Sequence, residues 1–168
     1  MNKTNGVKMS DKFERIKEAL TAAVRQTMEN MTFEEVSAVS NDKVTIVSPA
    51  NVVWASLPLK TPYAGNLLID ASVEYSESLV HEVYGFCEDD AMESSVRDVL
   101  SELANTIAGR FFGGLVPEDE GFELGLPDSG KGTAPNYEHE VLSINLKIGE
   151  HFLKVSLFGS DFINISEN

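Results

Sequence analysis

The segment from Val96 to Phe112 constrains the fold more than any other part of the sequence, because it carries two opposite stripes at helical spacing. At about 100° per residue, its apolar side chains fall on one face of a helix: Val96, Leu100, Leu103, Ile107 and Phe111. The opposite face carries an acid, a second acid, a carboxamide and a glycine, one turn apart: Asp98, Glu102, Asn105 and Gly109. We call these four residues the polar stripe. The pattern predicts a helix that buries the apolar stripe and presents the polar stripe outward, where such side chains orient water and attract cations.

Charge and composition exclude several classes of protein. The chain has 168 residues, enough for one domain with a substantial core, and its formal net charge is −14. This charge argues against binding to nucleic acid or to an anionic membrane surface, since both require clustered Lys and Arg. The single cysteine, Cys87, excludes an internal disulfide and predicts a reduced, cytoplasmic compartment. No apolar run approaches the length of a membrane-spanning helix.

Apolar spacing also predicts the other regular elements. A first helix is expected from Asp11, after a disordered N-terminal lead-in at residues 1–10. A short helix is expected over residues 76–84, ended by Gly85 in the left-handed conformation. Alternating or continuous apolar runs predict strands over residues 33–39, 43–48, 52–59, 64–75, 122–126, 141–148 and 151–158.

The helix that carries the polar stripe has recognisable ends. Asp90 with Glu93 three residues later predicts a capping box at its start. Gly113 and Gly114 predict its end near Phe112. The order of elements, a helix, then strands, then two helices, then strands, indicates an α+β fold with helices covering one face of a sheet.

Three segments of the sequence resemble a known family. Residues Glu102 to Gly109 resemble the signature helix of the CheC/CheX family of chemotaxis phosphatases. Ala64 to Leu67, followed by a short helix, is similar to the stretch before that signature, and Phe122 to Pro127 resembles the family's next strand and its Leu-Pro turn. The likeness covers most of the chain and is greatest to the CheX branch. It implies one domain over residues 11–168, with long helices packed on a largely antiparallel β-sheet.

The resemblance implies a phosphatase that hydrolyses the aspartyl-phosphate of a CheY-like response regulator. By position, Glu102 corresponds to the family's docking acid, which forms a salt bridge to the regulator's active-site lysine. Asn105 corresponds to the catalytic carboxamide, which holds the attacking water in line with the phosphorus. Asp98 opens the motif and is expected to support these two residues. The resemblance implies magnesium on the partner regulator and no cofactor or metal on this chain.

Gly109 strengthens the interpretation of the helix as a contact surface. A glycine inside a helix costs about 1 kcal/mol relative to alanine. Close approach of another backbone would explain that cost, and so would fraying of the helix before Gly113.

The resemblance also implies a homodimer formed through paired sheet elements, with late strands such as residues 141–148 offering an edge. Members of the CheC type carry the motif twice, on two symmetry-related helices. In the first helix of this chain, Glu29 is followed three residues later by Thr32 instead of Asn. One site per chain is therefore expected, as in CheX.

The run from Gly125 to Thr133 matches the phosphate-binding pattern G-x4-G-K. Such a loop must open a helix, so that backbone N–H groups and the helix N-terminus meet the phosphates. Here Pro135 and Asn136 follow at once, and Asp128 would place an anion inside the cradle. The run is therefore predicted to be a flexible hairpin loop that does not bind nucleotide.

Two functions from different classes stay open at this stage. The first is an enzyme that acts on a phosphorylated regulator, and the second is a non-catalytic regulator-binding or motor-switch module on the same fold. Intact Glu102 and Asn105 favour the enzyme. The sequence leaves open which regulator is the partner, and whether the pathway is chemotaxis or another two-component circuit. The histidines show no metal-ligand spacing: His81, His139 and His151.

Overall fold

The structure is a computed structural model that describes residues 5–40, 48–85 and 88–164. The helices in these ranges are α1 (Asn5–Thr32), α2 (Val73–Tyr84), α3 (Asp89–Leu115) and α4 (Ser160–Asn164). The strands are β1 (Val36–Val39), β2 (Val52–Thr61), β3 (Gly65–Ser72), β4 (Glu123–Leu124), β5 (Asp128–Lys131), β6 (Glu140–Ile148) and β7 (His151–Phe158). None of these helices combines the length and the apolar character that crossing a bilayer requires.

The strands form one antiparallel sheet in the order β1-β6-β7-β3-β2-β4, and β5 pairs with β2 beside β4. Side chains alternate between the two faces of each strand, so every second residue faces the helices. On the central strands these residues are fully buried: Leu57, Leu67, Ile69, Val155 and Leu157. They pack with apolar side chains of α1, α2 and α3 in one core. The predicted α+β architecture, with long helices on an antiparallel sheet, is confirmed.

The two long helices lie side by side on that sheet. All five apolar residues predicted for the inner face of α3 are buried, and α1 contributes an equivalent set: Ile16, Leu20, Val24 and Met28. The beginning of α1 lies beside the end of α3, where Arg15 donates from Nη2 to the Leu115 carbonyl oxygen at 3.2 Å. Each large apolar side chain that is fully buried contributes about 1.5–3 kcal/mol, so core packing stabilises both helices more than helix propensity does.

The start of α1 differs from the prediction. The helix begins at Asn5, so residues Asn5 to Ser10 of the predicted disordered lead-in are helical. Met9 precedes Phe13 by four residues, which continues the apolar repeat of the helix toward the N-terminus. The predicted start at Asp11 is therefore too late in the sequence.

The end of α3 also differs from the prediction. The helix continues through Gly113 and Gly114 to Leu115, and the N–H of Val116 donates to the carbonyl of Phe112 at 2.8 Å. Leu115 and Val116 are both buried, so their packing holds a last turn that two glycines alone would not stabilise. The predicted end near Phe112 is therefore wrong.

The predicted capping box at the start of α3 is wrong as well. The helix begins at Asp89, and its N-cap residue, Glu88, makes no side-chain capping hydrogen bond. Asp89 and Asp90 instead place negative charge in the first turn, where the helix dipole favours it. Gly85 ends α2 with a positive φ of 76°, as expected for glycine, but its ψ of −133° lies outside the left-handed helical region.

Most predicted strands have a counterpart, often a shorter one. Of the predicted strand at residues 43–48, all but Ser48 lies outside the described residues. The predicted strand at 141–148 corresponds to β6, which pairs with β1 on one side and β7 on the other. It is therefore not an edge strand, and the expectation that it offers an edge for dimerisation is wrong. β5 and α4 were not predicted, because they are too short for a periodic signal.

Candidate functional site

The polar stripe lies on the side of α3 that faces away from the sheet. Asp98 and Glu102 are exposed, while Asn105 and Gly109 are half-buried. Leu103, between them in sequence, is fully buried on the opposite side. At 1.5 Å per residue, the helix spreads the four stripe residues along a line of roughly 16 Å. The predicted outward orientation of the stripe therefore agrees with the exposure of its members.

The two central side chains of the stripe have no partner within the described residues. Glu102 and Asn105 form no side-chain hydrogen bond or ion pair with any residue in those ranges. Directly before the stripe, Arg97 donates to the Glu93 carboxylate at 2.9 Å, so neighbouring charges on this helix do pair. The carboxylate and the carboxamide are thus free to contact another molecule.

Gly109 leaves open space beside the helix. A Cβ built at this position would meet no heavy atom within 4 Å, so packing inside the protein does not require the absence of a side chain. Because α3 continues to Leu115, Gly109 is two turns from the end, which disfavours fraying as the reason for it. Close approach of another molecule therefore stays a prediction for this position, where glycine costs about 1 kcal/mol in helix stability.

Sequence reasoning missed an aromatic side chain next to the stripe. Phe112 follows Asn105 by seven residues, about two turns, so it leaves the helix close to the same line. It is nonetheless 0% exposed, because Phe122 lies over it with ring centroids 5.4 Å apart and an interplanar angle of 21°. Phe122 itself is 42% exposed. The spacing of Asn105 and Phe112 was visible in the sequence, but the arrival of Phe122 from a later segment was not.

The segment that matches a phosphate-binding loop, residues 125–133, packs closely against β2. A Cβ at Gly125 would lie 2.8 Å from the Cβ of Pro58, and one at Gly130 would lie 2.6 Å from the indole ring of Trp54. Pro58 and Trp54 both belong to β2, and Trp54 is the register partner of Gly130 in β5. No helix lies between Lys131 and β6 in this described part of the chain. The predicted flexible loop is wrong, since half of it is a paired strand; the absence of nucleotide binding stays a prediction.

Two carboxyl groups on β3 and α2 have pKa values displaced from their usual range. Burial raises the pKa of Asp70 on β3, and the positive charge of Lys154 lowers it in part. Loss of hydration raises the pKa of Glu82 on α2, and the negative charge of Glu34 raises it further. The described residues contain no group of three or more His, Cys, Asp or Glu side chains that could hold a metal ion. The chemistry of the stripe would therefore depend on where its side chains place a partner's groups and not on a metal bound among the described residues.

Comparison with protein families identifies the family of the chain. Residues 53–148 match the family model described as chemotaxis phosphatase CheX. The chain belongs to the CheX family. The match covers more than half of the chain and contains all of α3, so it confirms the family assignment that was predicted from Glu102 to Gly109. No curated protein sequence matches the chain.

Solved structures share the fold at low sequence identity. A chain in the crystal structure of the CheX-CheY-BeF3-Mg2+ complex from Borrelia burgdorferi is 17% identical, with a TM-score of 0.63 over 84% of this chain and 95% of its own. CheX from Vibrio vulnificus is 14% identical, with a TM-score of 0.67 over 85% and 95%. FliY from Thermotoga maritima is 9% identical, with a TM-score of 0.63 over 95% and 93%. The fold is therefore common to CheX and FliY and does not separate them.

Proposed function

We propose that this protein hydrolyses the aspartyl-phosphate of a CheY-like response regulator. The observation that carries the proposal is the pair Glu102 and Asn105, on one outward helix face and without partners among the described residues, in a chain of the CheX family. The choice of partner is supported by the relative from Borrelia burgdorferi, whose structure is a complex of CheX with CheY.

Glu102 is assigned the docking role. Its exposed carboxylate would form a salt bridge to the lysine in the regulator's active site, as the family resemblance implies. Asp98, one turn earlier and also exposed, adds negative potential that draws the lysine toward the stripe. When the interface excludes water, a close charge pair of this kind couples the two proteins by about 2 kcal/mol or more.

Asn105 is assigned the positioning of the attacking water. The amide nitrogen donates and the amide oxygen accepts, so the group is able to hold a water molecule in one orientation. The water attacks the phosphorus, the bond from phosphorus to the aspartyl oxygen breaks, and phosphate leaves while the carboxylate is regenerated. Such a reaction depends mainly on positioning and electrostatics, and a neutral amide does not repel the phosphate.

Magnesium is assigned to the regulator. The stripe spreads two carboxylates and an amide over roughly 10 Å of helix, further apart than the ligands of one small ion. The relative's complex contains magnesium together with CheY and BeF3. When bound to the regulator, the ion would neutralise charge on the phosphoryl oxygens, and this chain would supply the acid and the amide.

The test is the single-turnover decay of phosphorylated CheY-like regulators over a titration of wild-type protein, Glu102→Ala and Asn105→Ala. Asn105→Ala is expected to slow decay at saturation by about 10²-fold, equal to about 2.7 kcal/mol, while binding stays largely intact. Glu102→Ala is expected to weaken binding instead. Both residues lie outside the core, so unfolding free energies should change by less than about 0.5 kcal/mol.

Two results would overturn this proposal. If phosphorylated regulator decays as fast with saturating Asn105→Ala as with wild-type protein, the catalytic role assigned to Asn105 is wrong. If wild-type protein binds regulators but accelerates the decay of none, the non-catalytic binding module on the same fold takes the place of the enzyme. The cytoplasmic location stays a prediction in either case.

We also propose one site per chain and a homodimer. Among the described strands, β1 lies at one edge of the sheet, and β4 with β5 lies along the other. We place the dimer contact at β1, because the opposite edge adjoins the stripe that the regulator needs. Light scattering at tens of micromolar is expected to give the mass of two chains, and a monomer at that concentration would contradict the proposal.

A further inference from the structure

We infer that Phe122 and Leu126, which we call the β4 flank, form an apolar docking contact for the same response-regulator domain that Glu102 and Asn105 engage. This inference rests on the proposed function, because it names a second part of the surface that the regulator covers. The flank precedes and follows β4, where 42% of Phe122 and 88% of Leu126 are exposed.

The size of the partner places the flank inside the footprint. Phe112 lies about 10 Å along α3 from Asn105 and close to the same line, and Phe122 stacks on it. A receiver-sized domain of about 100 residues has a radius of gyration near 13 Å, and a stable interface covers about 800 Å² on each side. A domain seated on Asn105 therefore extends across the open space at Gly109 and reaches Phe122.

The flank is held in a fixed position before any partner arrives. Phe122 rests on Phe112 with nearly parallel rings, so one face of its ring is buried and the other is free. The N–H of Gly125 donates to the carbonyl of Pro58 at 2.7 Å, which ties the backbone next to Leu126 to the sheet. Fixed apolar side chains lose little conformational entropy on binding, and Phe is enriched at interface centres.

The charges around the flank indicate what the partner surface carries. Glu118, Asp119 and Glu120 precede Phe122 and are all exposed, while Glu123 is paired with Lys60 at 2.7 Å. With Asp98 and Glu102 at the other end of the stripe, the apolar contact has acidic groups at both ends. The matching partner face is an apolar patch with basic residues beside it, next to an active-site lysine.

The experiment measures affinity and catalysis separately. Phe122→Ala, Leu126→Ser and Glu102→Ala are titrated against a panel of CheY-like regulators activated with beryllofluoride and magnesium, and decay of the phosphorylated regulators is measured at saturation. Phe122→Ala and Leu126→Ser are each expected to raise Kd by about 10-fold, with saturated decay unchanged. Phe33→Ser is the matched control, because Phe33 is 92% exposed and directly follows α1, at the opposite end of that helix from Arg15, which is beside the end of α3.

Phe122→Leu keeps an apolar side chain over Phe112, so it distinguishes a loss of binding from a loss of folding. Leu126→Ser removes no core contact, because Leu126 is 88% exposed. If both flank variants bind within twofold of wild type while Glu102→Ala binds weakly, the flank inference is wrong and the proposed function stands. A flank variant that changes the mass in light scattering would show that a second copy covers the flank, and this also overturns the inference. Failure of the proposed function itself appears differently, as wild-type protein that accelerates the decay of no regulator.

Discussion

The two long helices, α1 and α3, are built alike on the inside and differently on the outside. They have 28 and 27 residues and bury apolar faces in the same core. On α1, Arg25 pairs with Glu29 at 3.4 Å, and Thr32 donates from Oγ1 to the Met28 carbonyl at 3.0 Å. On α3, Glu102 and Asn105 have no such partners among the described residues. At the two positions that correspond to Glu102 and Asn105, α1 carries groups that are already bonded within the helix, whereas α3 keeps both side chains available.

The end of α1 differs from the corresponding part of α3. The position four residues after Thr32, where a counterpart of Gly109 would stand, is Val36. Val36 lies in β1 and is 1% exposed, so the chain has already left the helix and entered the sheet. This geometry supports the proposal of one site per chain.

The largest effects are expected where the two helices are alike. Leu20→Ala on α1 and Leu103→Ala on α3 remove side chains that are both 0% exposed, so each is expected to lower the free energy of unfolding by about 2–5 kcal/mol. Urea titration followed by circular dichroism measures this. A loss below about 1 kcal/mol for either variant would show that its helix does not belong to the shared core.

The next effect separates the outer faces. Asn105→Asp keeps the shape of the side chain but adds a negative charge, which repels the phosphate. Decay of phosphorylated regulator is expected to slow by about 10²-fold or more at saturation. Asn30→Asp makes the same change at an exposed carboxamide on α1 and is expected to leave decay unchanged. Equal slowing by both variants would mean that net charge, not position, is responsible.

A smaller effect tests the open space on α3. Gly109→Ala is expected to raise the free energy of unfolding by up to about 1 kcal/mol, because alanine is the better helix former and meets no atom within 4 Å. The same substitution is expected to weaken regulator binding severalfold. Gly114→Ala, whose added Cβ would meet only the Cβ of Ala19 on α1 at 3.9 Å, faces away from the stripe and should leave binding unchanged. Tighter binding by Gly109→Ala would contradict close approach at this position.

The smallest effect is expected from an attempt to copy the motif onto α1. Thr32→Asn restores the Glu-x2-Asn spacing after Glu29, but Arg25 still occupies the acid and β1 follows at once. In the background of Asn105→Ala, decay is expected to stay at the level of that variant. A gain in decay would show that α1 is able to form a second site after all.

Periodic features of the sequence predicted the helix faces and strands whose structure does not depend on long-range contacts. The buried and exposed stripes of α3 follow from its spacing, and the alternation in β6 and β7 gave both strands within about one residue. The end of α3 failed as a prediction, because the packing of Leu115 and Val116 overrides the two glycines before them. Each glycine destabilises a helix by about 1 kcal/mol relative to alanine, and burial of a large apolar side chain stabilises the fold by more than that.

The site was predicted in part for the same reason. The polar stripe lies within one helix, so its members share a face whatever the rest of the chain does. Phe122 and Gly130 take their roles from partners in other elements, Phe112 of α3 in one case and Trp54 of β2 in the other. The G-x4-G-K match was misleading because a glycine that accommodates Trp54 looks the same in sequence as one that accommodates a phosphate.

The place of β7 has a consequence for synthesis on the ribosome. Residues 151–158 pair with β6 on one side and with β3, more than eighty residues earlier, on the other. Until that stretch has left the exit tunnel, β3 has an unpaired side, and the β1–β6 pair is not joined to the β3–β2 pair. Until then the nascent chain has two separate strand pairs and exposed apolar side chains, a state that favours aggregation and binding by chaperones.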